Sequence, residues 1–384
     1  MKLNLKCSYV MDLKATFLED RTIRMPQKYR ELLGCDIGQF IGLKTVDNDI
    51  LSLQVMQAFK EDVEQDENSA YVTSALFNVL NVGNQHEYDL KVVDDITLGC
   101  DPEFFLLSDK KVVPANRYFN KHNPVGSDGM LAEIRPAPSI DEHVVVNNIR
   151  KQLIEARSHI NKRGHEHIKL YAASGYGGLT AGFHLHFGLP NSLLGNTDIK
   201  KPVIEQIVRV LDYYVGMPCV LQEGIEDSQR RCATFVPYGK AGDYRLDYRT
   251  LEYRVVGGAM LKHPILTTGL LSLGAVVIED IVSRIKLCTD DFANFSFINN
   301  DLNLNKLYPN VPSNHELIEL VGVPGTEGVT RHIDKIVTDV GKMVGFHKRS
   351  AAIEQFLINL QNKFSHSIDD NWLLNSNKLY YNGL

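Results

Sequence analysis

Two histidines stand two residues apart in the segment AGFHLHFG, residues 181–188. Successive side chains of a β-strand point to opposite faces, so His184 and His186 would lie side by side on one face. The three hydrophobic residues that alternate with them would cover the other face. Imidazoles bind metal ions and transfer protons near neutral pH, which makes this strand a candidate for chemistry.

Three further segments alternate in the same way, with acids or arginines on one face and hydrophobic residues on the other. They read CDPEFFLL from residue 100, MLAEIRP from residue 130 and LEYRV from residue 251. One such strand is typical of a solvated sheet face, but solvated faces usually carry lysine, threonine and serine. The polar positions here are Asp101 with Glu103, Glu133 with Arg135, and Glu252 with Arg254.

Glu103, Glu133 and Glu252 would converge if these strands are neighbours in a sheet. Carboxylates that lie close together resist ionising together, and a divalent cation removes this difficulty. Oxygen ligands with one imidazole favour Mg²⁺, with Mn²⁺ as the alternative. Such ions usually keep water ligands and bind substrate phosphates, so the pattern predicts a nucleotide substrate.

Cationic residues surround the acids along the chain. Two arginines occur in QRRC, residues 229–232, and YGKAGDYR, residues 238–245, adds a lysine and an arginine. Arginine pairs with phosphate and carboxylate through two parallel hydrogen bonds. No G-x-x-x-x-G-K-[ST] segment is present, which excludes a P-loop. The candidate anion-binding residues are Arg230, Arg231, Lys240, Arg245, Arg249 and Arg254.

From Ile96 onward, the elements that must position these residues are short strands interspersed with and followed by long amphipathic helices. One helix is predicted before Gly164 and another over residues 201–216. The apolar stretch from Pro264 is interrupted by Glu279 and Asp280, which favours a buried helix over a membrane span. The pattern predicts an α+β fold, a sheet with helices on one side.

The first hundred residues contain a weak internal repeat at a spacing of 47 residues. Each copy is predicted to be strand, short helix, strand, strand. Gly34 and Asn81 would end the two helices, because both tolerate the left-handed conformation. Residues 1–95 hold 10 basic and 16 acidic residues, whereas a DNA-binding surface needs clustered positive charge. We therefore expect no nucleic-acid partner.

Taken in order, GCDPEFFL, DGMLAEIRP, GFHLHFG, YGKAGDYR and LEYR resemble the phage-type carboxylate–amine ligases (type 2), in the superfamily of glutamine synthetase and glutamate–cysteine ligase. This resemblance covers residues 97–260 well. It implies an antiparallel, glutamine-synthetase-like sheet funnel backed by helices, with ATP at one end and the acceptor at the other. The segment RTIRMPQKYRELLGCDIGQFIGL resembles an AbrB-like swapped-hairpin barrel, which two tandem copies could form within one chain.

Two domains follow from these resemblances. A small, mainly-β domain at residues 1–95 would serve docking or oligomerisation. Residues 96–384 would form the carboxylate–amine ligase domain, including the C-terminal helices.

The ligase resemblance also implies roles for the motif residues. The implied catalytic residues are Glu103, Glu133 and Arg254. The implied metal ligands are Glu103, Asp128, Glu133, His184 and Glu252. The implied nucleotide-binding residues are His186, Lys240, Arg245 and Arg254, and the implied substrate-binding residues are Arg135, Arg230 and Arg231. One departure concerns the segment before Glu252, which reads YRT where relatives often have a glycine.

The implied reaction is ATP-dependent amide formation through an acyl phosphate, with ATP and Mg²⁺ (or Mn²⁺) as cofactors. The partners would be an amine and a carboxylate, the latter from a small molecule, peptide or protein. A homo-oligomer stays open, and no membrane partner is expected. The opening MKLNLKCSYV lacks the apolar stretch of a signal peptide. The six cysteines are scattered, so a cytoplasmic location is expected, the host cytoplasm for a phage protein.

Two other classes of function stay open from the residues alone. An H-x-H motif also suits a metal-dependent hydrolase or cupin-like enzyme, in which His184, His186 and Glu133 would hold zinc or iron. That interpretation leaves the arginines without a role. The chain could also be a non-catalytic binding or structural module that retains a ligase-like domain.

Overall fold

The computed structural model describes residues 2–14, 22–35, 37, 40–44, 50–74, 76–77, 87–92, 96–189, 197–224, 227, 239–247, 250–288, 304–322 and 326–374. Four residues singled out from the sequence lie outside these ranges: Asn81, Arg230, Arg231 and Arg249.

The N-terminal part of the chain is a closed six-stranded barrel with the strand order β1-β5-β2-β4-β3-β6. A separate hydrophobic cluster fills it, including Leu5, Ile23, Ile41 and Val55. Its elements are β1 (Lys2–Cys7), α1 (Tyr9–Lys14), β2 (Thr22–Met25), α2 (Gln27–Leu33), β3 (Phe40–Lys44), β4 (Ile50–Gln57), α3 (Lys60–Gln65), β5 (Ser69–Val72) and β6 (Glu87–Val92).

The 47-residue repeat is visible in the barrel with one exchange of strands. β5 begins 47 residues after β2, and β6 begins 47 residues after β3. Gly34 ends α2 with a φ of 65°, as predicted. The last strand of the second copy begins at Thr97, 47 residues after β4, but it pairs outside the barrel, in the sheet formed by the rest of the chain. Strand β1 takes its place: it runs parallel to β5 and antiparallel to β6, as β4 does to β2 and β3.

The rest of the chain builds an eight-stranded sheet with the order β15-β16-β14-β7-β10-β9, to which β8 and β11 add by pairing with β7. Every pairing in it is antiparallel, as expected. Its strands are β7 (Thr97–Ser108), β8 (Lys111–Val112), β9 (Val125–Asp128), β10 (Leu131–Ile134), β11 (Lys169–Tyr171), β14 (Phe183–Gly188), β15 (Tyr244–Asp247) and β16 (Thr250–Tyr253). A separate hairpin consists of β12 (Gly175–Tyr176) and β13 (Leu179–Thr180).

Helices cover the apolar face of this sheet. Phe183, Leu185 and Phe187 share one buried cluster with Ile149 and Leu270 of the helices, which confirms the α+β fold. The helices are α4 (Glu142–Asn161), α5 (Thr197–Leu211), α6 (Met217–Cys219), α7 (Pro264–Cys288), α8 (Leu304–Leu307), α9 (Asn314–Gly322), α10 (Thr326–Val340), α11 (Phe346–Asn359) and α12 (Ile368–Asn371). A π-helical turn, Asp212–Gly216, joins α5 to α6.

Helix α7 is the one helix in the described part of the chain that is long and apolar enough to cross a membrane, and 89% of its apolar window is buried inside the protein. Its two acids have internal partners. Asp280 accepts hydrogen bonds from Arg284 and the Tyr308 hydroxyl, both at 2.7 Å, and Glu279 pairs with Arg349 at 2.9 Å. These contacts support the sequence-based expectation of a buried helix.

Helices α7 and α11 approach closely at Gly269, and this contact gives a stability prediction. A Cβ at Gly269 would overlap the Phe356 side chain. We expect Gly269→Ala to destabilise the protein, because overpacking costs roughly 1–3 kcal/mol and exceeds the gain of up to about 1 kcal/mol in helix propensity. Gly322→Ala is the matched control, since a Cβ there meets nothing within 4 Å. Urea unfolding of both variants tests this, and equal stabilities would contradict the packing argument.

Candidate active site

The strands that carry the motif residues are neighbours in the sheet, and their polar side chains share one face. β14 lies between β7 and β16, and β10 pairs with the other edge of β7. The residues that face each other across these strands are Asp101 and His184, Glu103 and Glu133, His186 and Glu252, and Arg245 and Glu252. The strand alternation therefore predicted the shared polar face correctly.

Asp101, His186 and Glu252 form a cluster that could hold a metal ion. One potential ligand atom from each lies within 4.8 Å of the others. His186 Nε2 is 3.3 Å from Asp101 Oδ2, and Glu252 is only 1% exposed. Asp101 is absent from the ligand set that the family resemblance implies. Its signal in the sequence was its position two residues before Glu103, on the same face of the strand.

His184 lies beside this cluster and contacts two of its acids. Its Nδ1 is 3.1 Å from Asp101 Oδ1 and 3.6 Å from Glu252 Oε1, and the residue is buried. The resemblance implied that His184 binds the metal and that His186 faces the phosphates. Among the described residues, the three-residue cluster contains His186, and the roles that the resemblance implies for the two imidazoles stay predictions.

Two arginines flank Glu252 on the side of the sheet edge. Arg245 NH2 lies 2.6 Å from Glu252 Oε2, and Arg254 Nε lies 3.2 Å from Glu252 Oε1. Arg254 is also held by the loop before β15, because its backbone N–H donates to the carbonyl of Asp243 at 3.1 Å. Lys240 is exposed in that same loop. The site therefore offers exposed positive charge beside buried negative charge.

Glu103 and Glu133 form a second buried acidic pair: Glu103 lies on β7, two residues after Asp101, and Glu133 faces it from β10. The backbone N–H of Gly182 donates to Glu103 Oε2 at 2.6 Å, and Arg135 pairs with Glu133. Asp128 is exposed at the end of β9. Burial is the main cause that raises the pKa of both glutamates, and the charge of Asp128 adds to it. These acids are thus gathered on one face, as the sequence predicted, but Asp128 lies at its solvent edge.

The guanidinium of Arg135 is engaged within the protein. Besides Glu133, it contacts the carbonyl of Asn123, to which its NH1 donates at 2.9 Å. A Cβ at Gly126 would overlap this guanidinium, so the glycine leaves the space that Arg135 occupies. To bind the substrate carboxylate, as the resemblance implies, Arg135 would have to release Glu133.

Burial and charge oppose each other at the cluster. Burial would raise the pKa of Asp101, but His186 and His184 outweigh it and hold the pKa well below its usual range. Burial would likewise lower the pKa of both histidines, yet Asp101 reverses this and raises the pKa of each. Without a cation, the negative charge of Asp101 therefore favours the protonated form of both imidazoles.

Glu103 and Glu133 differ from Asp101, because burial disfavours their negative charge and the pKa of both carboxyl groups is raised. Burial raises the pKa of Glu133 to about 7, although Arg135 opposes the shift. Burial also raises the pKa of Glu103, against the opposing effects of His184 and of the Gly182 N–H. A carboxyl group that titrates near neutral pH can accept or donate a proton under physiological conditions.

The donor atoms of the cluster fit a hard divalent cation. Asp101 Oδ1, His186 Nε2 and Glu252 Oε2 are buried and make no hydrogen bond of acceptable geometry within the described residues. Each of these atoms lies within ion-pair distance of a neighbour, at 2.6–3.3 Å, but without the geometry of a hydrogen bond, and a bound cation would satisfy them. Two carboxylates and one imidazole suit Mg²⁺ or Mn²⁺.

In the metal-free protein, we expect the unfolding midpoint to fall as the pH rises from 5 to 8. The pKa of Glu133 is about 7 when folded, against 4.5 for the free group. The folded state therefore binds more protons in this window, and their loss removes up to about 3 kcal/mol of stability. The raised pKa of His184 and of His186 acts in the same direction, because their stabilising charge disappears as the pH passes the folded pKa.

Thermal unfolding with EDTA or with Mg²⁺ checks this expectation. Mg²⁺ should raise the midpoint more at pH 8 than at pH 5.5, because a cation competes with protons for these ligands. Glu133→Gln should flatten the dependence on pH, since the neutral amide cannot titrate. A midpoint that rises with pH in EDTA, or an equal effect of Mg²⁺ at both pH values, would contradict the proton linkage.

Residues 98–356 match the family model described as phage phiEco32-like COOH.NH2 ligase-type 2. Since the match spans more than half of the chain, the protein belongs to this family of carboxylate–amine ligases. A comparison of the sequence with curated proteins gives no match.

Three solved structures are similar to parts of this chain. A bifunctional glutathione synthetase from Pasteurella multocida is 12% identical over 72% of this chain and 54% of its own, with a TM-score of 0.36. Ligand-free GmaS is 12% identical over 75% of this chain and 82% of its own, with a TM-score of 0.34. The designed protein mkDPBB_sym1 is 25% identical over 24% and 98%, with a TM-score of 0.20. Similarity at these scores transfers no residue role.

Proposed function

We propose that the protein is an ATP- and Mg²⁺-dependent ligase that joins a carboxylate to an amine through an acyl phosphate. The observation that carries this proposal is the metal-ligand cluster of Asp101, His186 and Glu252, which lies beside Arg245 and Arg254 on one sheet face. Membership in the carboxylate–amine ligase family supports it. When bound there, Mg²⁺ or Mn²⁺ would neutralise charge on the polyphosphate of ATP.

The cationic side chains would bind the nucleotide phosphates. Arg254 is the proposed contact to the phosphoryl group in transit, because its guanidinium is oriented by Glu252 and lies 3.9 Å from Asp243. Preorganised positive charge of this kind stabilises a transferring phosphoryl group. Arg245, with a side chain that is 61% exposed, and Lys240 would line the entrance for ATP.

In the first proposed step, a carboxylate oxygen of the substrate attacks the γ-phosphorus of ATP, and ADP leaves as the bond to its bridging oxygen breaks. In the second step, the amine nitrogen attacks the acyl carbon, and the bond to phosphate breaks to release inorganic phosphate. The amine must also lose a proton. Glu133 is the proposed acceptor, since its pKa of about 7 lets it hold a proton near neutral pH.

Further residue roles belong to the same proposal. Glu103 lies opposite Glu133, and this pair, with the exposed Asp128, could hold an additional cation, as the family resemblance implies. His184 would orient the acids of the cluster through its contacts with Asp101. Arg135, Arg230 and Arg231 remain the proposed contacts to the substrate carboxylate.

A zinc- or iron-dependent hydrolase has less support. It would require His184, His186 and Glu133 to converge on one ion, whereas Glu133 lies on β10 and the histidines on β14, with β7 between them. The cluster of described residues that does converge has two carboxylates and a single imidazole, a donor set that suits harder ions. A non-catalytic module would have no need of a buried acidic face with arginines beside it.

The barrel at residues 1–95 is proposed as a docking or oligomerisation module, with the domain boundary between residues 95 and 96 and a cytoplasmic location. Its large exposed hydrophobic side chains support this role: Tyr9 is 72% exposed, Leu13 68% and Leu32 72%. Exposed apolar surface favours association. Light scattering of the purified chain would establish the oligomeric state.

Incubation of the full chain with ATP, Mg²⁺ and pooled carboxylates and amines tests the proposed reaction. We expect release of inorganic phosphate that requires both substrates, and an amide product detectable by mass spectrometry. Hydroxylamine in place of the amine should trap the acyl phosphate as a hydroxamate. Tightly bound zinc together with no turnover of ATP would overturn the proposal.

A further inference from the structure

A cavity of about 320 Å³ lies at the edge of the sheet, on the face opposite the metal-ligand cluster. Its wall includes Tyr244, which faces Tyr253 across β15 and β16 and packs with it into the buried core. The neighbouring pair, Arg245 and Glu252, points to the polar face instead. Helices α5 and α9 and the loop before β15 complete the cavity. This volume is at the lower end of the range of small-molecule sites.

Arg209 of α5 places a positive charge on the cavity wall. Its Nε atom is buried and has no hydrogen-bond partner among the described residues. Burial lowers the pKa of the guanidinium, and no acid in the described part of the chain offsets this effect. A desolvated charge costs free energy unless an anion compensates it, and arginine pairs with carboxylates through parallel hydrogen bonds. The cavity is therefore suited to an anionic group.

The two acids on the cavity wall are engaged elsewhere. Glu205 lies 3.9 Å from Lys201, one turn earlier on α5. Asp212 accepts hydrogen bonds from the Tyr253 hydroxyl and the Gly242 N–H, both at 2.8 Å. Because these negative charges share the wall with the guanidinium, a ligand with one negative charge is a better match than a ligand with two. A carboxylate meets this condition, whereas a phosphate group is largely a dianion near neutral pH.

The rest of the cavity wall is mainly apolar. Val208 and Leu317 are each 1% exposed and belong to the buried core, whereas Ile318 is 52% exposed. An apolar ligand group that covers Ile318 would remove its surface from water, which is favourable. The ligand is therefore expected to carry an apolar body next to its anionic group.

We propose that this cavity binds a small organic carboxylate, with the carboxylate on Arg209 and its apolar body against Leu317 and Ile318. The inference depends on an arginine that has no partner among the described residues and lies between apolar side chains in a cavity. The sheet separates this ligand from the substrate carboxylate of the proposed reaction, which would bind on the polar face. The site therefore does not depend on the proposed ligase function.

Isothermal titration calorimetry of the full chain tests the cavity directly. The probes are benzoate, phenylacetate and isovalerate. Their neutral amides are the controls for charge, and acetate is the control for the apolar body. We expect at least one probe to bind at millimolar or lower concentration, and its amide to bind at least about tenfold more weakly, because the amide loses the charge-assisted hydrogen bonds. No binding by any probe, or equal binding by the amide or by acetate, would overturn the inference.

Variants then assign the binding to this cavity. Arg209→Met should weaken binding at least about tenfold and should not lower the unfolding midpoint, because the guanidinium gives up no internal partner. Ile318→Asp, at a half-exposed position, should also weaken binding, since it places a like charge beside the ligand. Arg331→Met, at an exposed position on α10 outside the cavity, is the matched control and should bind as the wild type does. If Arg209→Met fails to fold, Ile318→Asp decides, and unchanged binding in the folded variants would overturn the inference.

The same titrations separate this site from the proposed nucleotide site. With Mg²⁺ and a non-hydrolysable ATP analogue present, the affinity for the carboxylate should stay within about twofold. Displacement by the analogue would place the carboxylate in the nucleotide site and overturn the inference. Carboxylate binding that depends on Arg209, in a protein that never turns over ATP, would support the cavity and contradict the ligase. ATP turnover without such binding would support the ligase and overturn the cavity assignment.

Discussion

The Glu252→Gln variant is expected to lose roughly 10²–10³-fold of kcat for ATP-dependent phosphate release. Glu252 is almost completely buried and lies between Arg245 and Arg254, opposite His186 on the neighbouring strand. The amide has the same shape but no charge, so it cannot neutralise a cation or orient both arginines. We also expect Mn²⁺ to bind more weakly, by at least about tenfold, as measured by electron paramagnetic resonance.

Glu155→Gln is the matched control for this experiment. Glu155 is exposed on α4, which belongs to the helical layer on the opposite, apolar face of the sheet. Its variant should keep kcat within about twofold. Thermal unfolding must show that Glu252→Gln remains folded. A folded Glu252→Gln variant that keeps wild-type turnover would remove the cluster from the proposed mechanism.

The Asp101→Asn variant is expected to weaken Mn²⁺ binding by at least about tenfold and to lower the pKa of both His184 and His186. Asp101 contacts both imidazoles, at 3.1 and 3.3 Å. Burial lowers the pKa of each histidine, and the negative charge of Asp101 is the main effect that raises it. Proton NMR of the histidine rings in EDTA measures the shift. If the variant lost metal binding but the two histidine pKa values stayed the same, Asp101 would be a metal ligand and not the charge that raises these pKa values.

Asp128→Asn discriminates between the two ligand sets. The family resemblance implies Asp128 and omits Asp101, whereas the structure places Asp101 in the cluster and leaves Asp128 exposed. We therefore expect Asp128→Asn to have the smaller effect on Mn²⁺ binding. The opposite order would favour the ligand set that the resemblance implies.

Much of the site could be predicted because strand geometry is local. A period of two residues puts His184 with His186, and Glu252 with Arg254, on one face regardless of what the strands pair with. The same local reasoning identified the strands of the barrel repeat and the glycine that ends α2. Five ordered motifs then identified the ligase family, which the family match confirms.

The sequence could not settle what pairing between distant strands decides. The repeat predicts a strand at Thr97, and one begins there, but β1 takes its place in the barrel and the strand from Thr97 joins the eight-stranded sheet. The resemblance implies that Arg135 binds a substrate carboxylate, which stays a prediction, and the structure pairs this arginine with Glu133, two residues away on the same face. Neither outcome can be predicted from hydrophobic periodicity.

By itself, the sequence determined the family, the α+β class and the set of polar side chains that share one sheet face. Only the tertiary structure decided which members of that set meet. Asp101 faces His184, and Glu252 faces His186, because the apolar faces of β7, β14 and β16 pack into one core and so set the strand order and register.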